Sequence, residues 1–271
     1  MITLEQLQAG IVLPVDKPRQ WTSFQAVNKV KAVVRNAYGL KKFKIGHAGT
    51  LDPLATGLLL VCLGRATKDI PQLQDGDKVY TGTLVLGATT PCFDLEQAID
   101  RYYPYGHITR ELLEAAARQF IGIIMQVPPM FSAVKTDGRR AYEIARTKHG
   151  EPGIENDGPK ARPVQVHSFE ITAFRAGMTD PAEPMEPVDP VYSAKSPHLY
   201  NHPLGTVPPH LPQADFRIRC GKGTYIRSLA RDLGAALGSG AFLGALRREQ
   251  VGPYTLDHAL QLDQVADFLT R

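Results

Sequence analysis

The longest apolar run of the chain, LLLVCL at residues 58–63, constrains the fold more than any other stretch. An unbroken apolar run of this length predicts a buried strand, and it is far too short to span a membrane. It directly follows GHAGTLDPLATG (46–57), where glycines and a proline predict a loop. Hydrophobic residues make up 43% of the 271-residue chain, enough to bury this strand in one large domain or in one of two small ones.

Further strands and helices alternate along the chain without a regular βαβα rhythm. Residue composition and periodicity predict strands at 11–15, 78–87, 162–174 and 215–220, and helices at 22–38, 109–120 and 224–237. This irregular mixture predicts an α+β fold with a largely antiparallel sheet. Residues 176–213 contain nine of the 21 prolines, so we interpret them as a surface insertion between two strands of one sheet.

The charge distribution is more informative than the net charge of +4. Residues 17–51 carry eight Lys/Arg and no acid, and residues 216–231 carry five and no acid. If the two segments converge, they form a positive surface that attracts phosphates; otherwise they are two unrelated solvated faces. The three cysteines are far apart, without a CxxC, and the N-terminus has no secretory signal. We therefore expect a cytoplasmic protein with no disulfide framework.

Asp52 is the carboxylate that ends the first of these basic segments. Pro53 restricts Asp52 to an extended backbone, and Gly46, Gly49 and Gly57 permit close approach of a ligand or of another chain segment. Neighbouring cations favour the ionised form of a carboxylic acid. Such a residue serves either as a nucleophile or as a structural ion-pair partner.

Other sites are disfavoured by the residues present. CGKGTY (220–225) lacks the Ser or Thr of a phosphate-binding P-loop, and Ile226 replaces the third glycine of a dinucleotide motif. His198 and His202 have helical spacing for a metal but lie in the proline-rich insertion. We therefore expect no metal.

Six blocks of the chain resemble the tRNA pseudouridine synthases of the TruB type. They occur in the family's order and comprise DKPRQWTSF (16–24), GHAGTLDPLATGLLLVCLGRATK (46–68), DKVYTGTLVLGATT (77–90), QVPPMFSAVKTDGRRAYEIAR (126–146), CGKGTYIRSLARDLG (220–234) and LGALRREQVG (243–252). The resemblance implies the pseudouridine synthase catalytic fold over residues 1–252, with a central mixed sheet flanked by helices and a short tail at 253–271. It also leads us to expect no C-terminal RNA-binding PUA domain, because too few residues follow the last block.

The resemblance also assigns roles to individual residues. Asp52 matches the catalytic aspartate, which attacks the nucleotide at C1′ or C6 or through a glycal route. Tyr80 matches the tyrosine that stacks on uracil, and Arg227 matches the arginine that pairs with the aspartate. The matching substrate-binding positions are His47, Lys17, Pro18, Lys135, Tyr225 and Leu246.

The family isomerises a uridine of the tRNA T loop, at position 55, to pseudouridine on a flipped-out base. Detachment and reattachment of the base involve no net redox change, so no cofactor is expected. The expected partner is the T arm and T loop of tRNA, bound by a monomer without membrane contact. The alternative is a non-catalytic RNA-binding module or tRNA-folding chaperone with the same fold.

Overall fold

The computed structural model describes residues 2–132, 135–136, 139–140, 158–178 and 207–270, with backbone alone at 135–136 and 139–140. The chain forms two compact units, Met1–Thr81 with Leu246–Arg271, and Gly82–Ala245. None of the helices in this described part is long and apolar enough to cross a membrane.

The first unit contains the N-terminal elements and the C-terminal end of the chain. These elements are α1 (Leu4–Ala9), β1 (Ile11–Lys17), α2 (Ser23–Tyr38), β2 (Ile45–His47), β3 (Thr56–Leu63), a 3₁₀ helix (Gly64–Lys68), α3 (Ile70–Asp75) and the start of β4 (Lys78–Leu86). In this unit β3 pairs antiparallel with β1 and β2, so the predicted strand 58–63 is confirmed as a buried central strand.

The predicted helix after Thr22 is also confirmed. Thr22 and Gln25 form a reciprocal capping box at the start of α2, and Gly39 ends the helix in the left-handed conformation at φ 64°. Val27, Val30 and Val34 are buried on one face of α2. The three valines therefore pack as the periodicity predicts, whereas Phe24, the first apolar residue of the same pattern, is 68% exposed.

The second unit contains the strands and helices between residues 82 and 245. They are the end of β4, β5 (Ala88–Thr89), β6 (Arg101–Tyr102), α4 (Arg110–Arg118), β7 (Gly122–Gln126), β8 (Lys135–Thr136), β9 (Arg139–Arg140), β10 (Arg162–Arg175), β11 (Gln213–Cys220), α5 (Ile226–Ala236) and the start of β12 (Ala241–Val251). β10 pairs antiparallel with β7 and with β11, and Arg217 and Arg219 of β11 are exposed as the alternation predicts.

Strands β4 and β12 each have residues in both units. The strand order is β1-β3-β12-β4 in the first unit and β12-β4-β11-β10-β7 in the second. β12 pairs parallel with β3, whereas β3 pairs antiparallel with β1 and β2, and β10 pairs antiparallel with β7 and β11. The predicted α+β class with a mixed, largely antiparallel sheet is confirmed.

The predicted insertion and tail are only partly described. β10 and β11, which flank the insertion, are antiparallel neighbours, and residues 179–206 lie outside the described part of the chain. Residues 253–271 include β13 (Tyr254–Thr255), a 3₁₀ helix (Leu256–His258) and α6 (Val265–Thr270). α6 packs against α2, and the Tyr38 hydroxyl donates to the Leu269 carbonyl at 3.0 Å. The boundary between domain and tail stays a prediction.

Candidate active site

Asp52 lies in the loop between β2 and β3, and the backbone of this loop is extensively hydrogen-bonded. Five successive carbonyl oxygens, from Gly49 to Pro53, each accept a hydrogen bond. The donors are, in chain order, Arg248 Nη2 (3.1 Å), Arg248 Nη1 (3.3 Å), Ser23 Oγ (3.1 Å), the Ala55 amide (3.1 Å) and the Gln20 amide (2.8 Å). An irregular loop satisfied in this way is fixed almost as firmly as a strand.

Gly49 in the loop and Gly57 at the start of β3 adopt backbone conformations that L side chains rarely take, with φ +99° and +102°. A Cβ atom at Gly57 would lie 2.3 Å from the Arg248 carbonyl oxygen. Gly57 and Arg248 are paired residues of β3 and β12. The predicted close approach is therefore to backbone, and it brings the Arg248 side chain to the Asp52 loop.

Lys17 and Pro18 form part of the same support. Lys17 is fully buried, and its Nζ donates to the carbonyls of Pro18 (3.0 Å), Trp21 (2.6 Å) and Pro53 (3.3 Å). The ammonium therefore joins the turn after β1 to the residue that follows Asp52. Sequence analysis placed both residues in substrate binding, and the described contacts show Lys17 bracing the loop.

His47 is the last residue of β2 and is partly buried. Burial is the main cause of its lowered pKa; the charge of Arg248 acts in the same direction, and a contact with the Gly49 backbone opposes both. The imidazole is therefore neutral at pH 7.

Tyr80 and Leu246 lie on the two strands that pass through both units. Tyr80 is a buried residue of β4, and Leu246 is a partly buried residue of β12, two positions before Arg248. Next to Tyr80, Thr81 Oγ1 donates to Glu249 Oε1 at 2.6 Å. Both predicted residues thus belong to the same unit as Asp52.

Arg227 occupies a buried position in the first turn of α5, with 5% of its side chain exposed. Its Nη1 donates to the Cys92 carbonyl (3.0 Å), its Nη2 to the Phe131 carbonyl (2.8 Å), and its Nε lies 3.8 Å from Asp94 Oδ2. A surface charge is thereby excluded as its role. The predicted pairing of Arg227 with Asp52 stays a prediction.

Asp94 is a buried carboxylate that sequence analysis missed. Its Oδ1 accepts hydrogen bonds from the Glu96 amide and the Cys92 thiol, both at 2.9 Å. Burial, followed by the negative charge of Asp94, raises the pKa of Cys92, so this thiol stays protonated and inert. The sequence around Asp94 resembles an ordinary acidic turn, and its partner Arg227 is distant in sequence.

The remaining predicted residues lie in the second unit. The Tyr225 amide donates to Gln126 Oε1 (2.8 Å), and Gln126 Nε2 donates back to the Tyr225 carbonyl (3.1 Å). The Arg162 guanidinium lies 5.3 Å from the centroid of the Tyr225 ring, a cation–π contact. Lys135 pairs with Arg140 through the backbone of β8 and β9, and its side chain lies outside the described atoms.

Comparison with known proteins identifies the family. Residues 35–181 match the TruB family pseudouridylate synthase (N terminal domain). The chain belongs to this TruB family. Residues 227–271 match the tRNA pseudouridylate synthase B C-terminal domain. A tRNA pseudouridine synthase B of Flavobacterium johnsoniae is 46% identical over 96% of each chain, and that of Phocaeicola vulgatus is 43% identical over 96% of this chain and 93% of its own.

Solved structures agree with the fold of this TruB-family chain. It superposes on the structure of a Cbf5–Nop10–Gar1 complex with a TM-score of 0.60 and 25% identity. The match covers 97% of this chain and spans 55% of the other. The family and the fold that the six sequence blocks predict are thus both confirmed.

Proposed function

We propose that this TruB-family protein isomerises uridine 55 in the T loop of tRNA to pseudouridine, with Asp52 as the nucleophile. Family membership and the shared name of the curated relatives, tRNA pseudouridine synthase B, support the reaction and the tRNA substrate. The observation that carries the residue assignment is the Asp52 loop, whose five successive hydrogen-bonded carbonyls hold the carboxylate on a rigid support.

The reaction needs one activated carboxylate and a way to hold a free base. The bond between N1 and C1′ breaks, the base turns, and C5 bonds to C1′; C5 loses a proton and N1 gains one. Atoms and electrons balance without an oxidant or reductant, so we propose that no cofactor takes part. Asp52 attacks the nucleotide and Tyr80 stacks on the uracil. Arg227 is the third catalytic residue of the proposal.

The target uracil must leave its stack in the T loop before it can react, and this unstacking costs about a few kcal/mol. We propose that neutral His47 stacks where that base leaves, while Leu246, Tyr225 and Lys135 contact the substrate. Lys17 and Pro18 shape the floor of the substrate pocket.

Backbone phosphates would be bound by the basic segments. Lys41, Lys42 and Lys44, between α2 and β2, are all exposed, as phosphate contacts require. We further propose that the protein acts as a monomer in the cytoplasm. The three buried free cysteines fit a reducing compartment.

A single assay separates this proposal from the alternative of a non-catalytic RNA-binding module. Purified protein is incubated with a tRNA transcript carrying tritium at C5 of uridine, without nucleotide or metal, and tritium release is measured. The modified position is then mapped by nuclease digestion. We expect release of one tritium per tRNA, from position 55. Tight tRNA binding without tritium release would support the binding module instead.

A further inference from the structure

We infer that Ser23 and Arg248 are positioning residues for Asp52, acting together as a clamp on the backbone of its loop. This inference rests on the proposed function for its kinetic consequence, and on geometry alone for its structural one. Neither residue is among those that sequence analysis selected. The clamp, defined as these two side chains, holds the three residues that precede Asp52.

Ser23 binds both backbone groups of Leu51, the residue immediately before Asp52. Its Oγ accepts a hydrogen bond from the Leu51 amide at 2.9 Å and donates one to the Leu51 carbonyl at 3.1 Å. Ser23 is 3% exposed and is the first residue of α2. The hydroxyl therefore substitutes for a neighbouring strand and fixes the peptide planes on both sides of Leu51.

Arg248 holds the preceding two residues from β12. Its Nη2 and Nη1 donate to the carbonyls of Gly49 and Thr50, and its Nε donates to the Leu58 carbonyl at 2.8 Å. One planar guanidinium thus ties the first half of the loop to β3, which follows the loop. Lysine has a single nitrogen and cannot reproduce this fork.

The burial of Arg248 indicates that this residue is needed for its directed hydrogen bonds and not for hydrophobic packing. It is 1% exposed, and removing a guanidinium from water costs free energy that a leucine at the same place would not. Its hydrogen bonds go to backbone carbonyls of the Asp52 loop and of β3. The buried guanidinium therefore fixes the backbone conformation of the residues that lead to Asp52.

The expected consequence is a loss of rate without a loss of binding. A displacement of about 1 Å in a reacting group can lower a rate about 10²-fold, whereas phosphate contacts elsewhere on the protein are unaffected. Ser23→Ala and Arg248→Lys should each lower the single-turnover rate at saturating enzyme at least about tenfold, and Arg248→Met about 10²-fold. The dissociation constant for tRNA should stay within about twofold for all three.

Tyr38→Phe is the matched control. It also removes a side-chain hydroxyl that bonds to two backbone carbonyls of the same unit, those of Ile2 (2.7 Å) and Leu269 (3.0 Å). Its single-turnover rate should remain near that of the wild type. An equal loss of rate in Tyr38→Phe would mean that general destabilisation, and not the clamp, slows the reaction, and would overturn the inference.

Amide hydrogen exchange measures how firmly the clamp holds the Asp52 loop and needs no catalytic turnover. It therefore tests the structural part of the inference even if the protein is inactive on tRNA. Peptides covering residues 46–57 should exchange faster in Ser23→Ala and Arg248→Lys than in the wild type and in Tyr38→Phe. Wild-type protection of this segment in both clamp variants would contradict the inference. An inactive wild type with accelerated exchange in both variants would refute the proposed function and leave the clamp supported.

Discussion

At the scale of single residues, the buried contacts of Arg227 give a prediction about two substitutions at this position. Arg227 donates to two carbonyls in different chain segments and lies beside Asp94. We predict that Arg227→Ala lowers the single-turnover rate by orders of magnitude and that Arg227→Lys restores part of it, because lysine keeps the charge but loses the fork.

The control for this prediction is Arg231→Lys on the same helix. Arg231 is partly exposed, and its Nε bonds to the neighbouring Asp232 at 2.7 Å. Its single-turnover rate should stay near wild type. Full activity of Arg227→Lys would show that charge alone suffices at position 227.

His47 gives a prediction about pH and stability. Its pKa in the folded protein lies below the ordinary histidine value of 6.5, so the unfolded chain binds a proton more readily than the folded one. The contribution of neutral His47 to the free energy of unfolding is complete above pH 6.5, and it is lost as the pH falls through the lower pKa of the folded protein. Urea denaturation at pH 7.5 and below 6.5 should show a smaller pH-dependent loss of unfolding free energy in His47→Gln than in the wild type. Identical losses would rule out His47 as the source.

Single residues also mark the limit of inference from sequence. Asp52 stands out because a proline and glycines surround it, and Arg227 stands out through a family block. Ser23 and Arg248 lie within two of the matching blocks, but the resemblance assigns them no role, and Asp94 lies outside the blocks. Their contacts join residues far apart in the chain: Ser23 with Leu51, Asp94 with Arg227, and Arg248 with Gly49. Only the folded backbone shows these pairs.

At the scale of secondary-structure elements, local patterns predicted several elements correctly but did not predict β12 (Ala241–Val251) as a strand. The apolar run in β3, the capping box of α2 and the alternation in β11 each determine an element through its own residues. The parallel pairing of β12 with β3 was not predictable, because it joins strands nearly two hundred residues apart through a register that no local pattern encodes.

The proline-rich insertion between β10 and β11 provides a prediction at this scale. Its two ends belong to the folded unit: the Met178 amide donates to the His210 carbonyl (3.0 Å), and Leu211 is 2% exposed. Replacing residues 180–206 with a short Gly/Ser linker should therefore leave activity on a T-arm minihelix largely intact, whereas extending the replacement through Leu211 should lower the melting temperature. Loss of turnover with tRNA binding retained in the shorter replacement would show that the insertion serves the reaction.

At the scale of the whole molecule, the uneven distribution of charge predicts how the protein binds RNA. Phosphate contacts release counterions, so the logarithm of the tRNA association constant should fall linearly with the logarithm of salt concentration. Changing the exposed Lys41, Lys42 and Lys44 to Gln should weaken binding and flatten this slope, with little change in single-turnover rate at saturation. Arg118→Gln, an exposed change outside both basic segments, is the control. An unchanged slope in the triple variant would mean that this segment faces away from RNA.

The measurement that tests the central claim most directly is the single-turnover formation of pseudouridine at position 55 by Asp52→Asn. The substitution is nearly isosteric and removes the nucleophilic charge. Product formation should be abolished, while the dissociation constant for tRNA stays within about tenfold of wild type because the phosphate contacts remain. A rate near that of the wild type would contradict the assignment of Asp52 as the nucleophile.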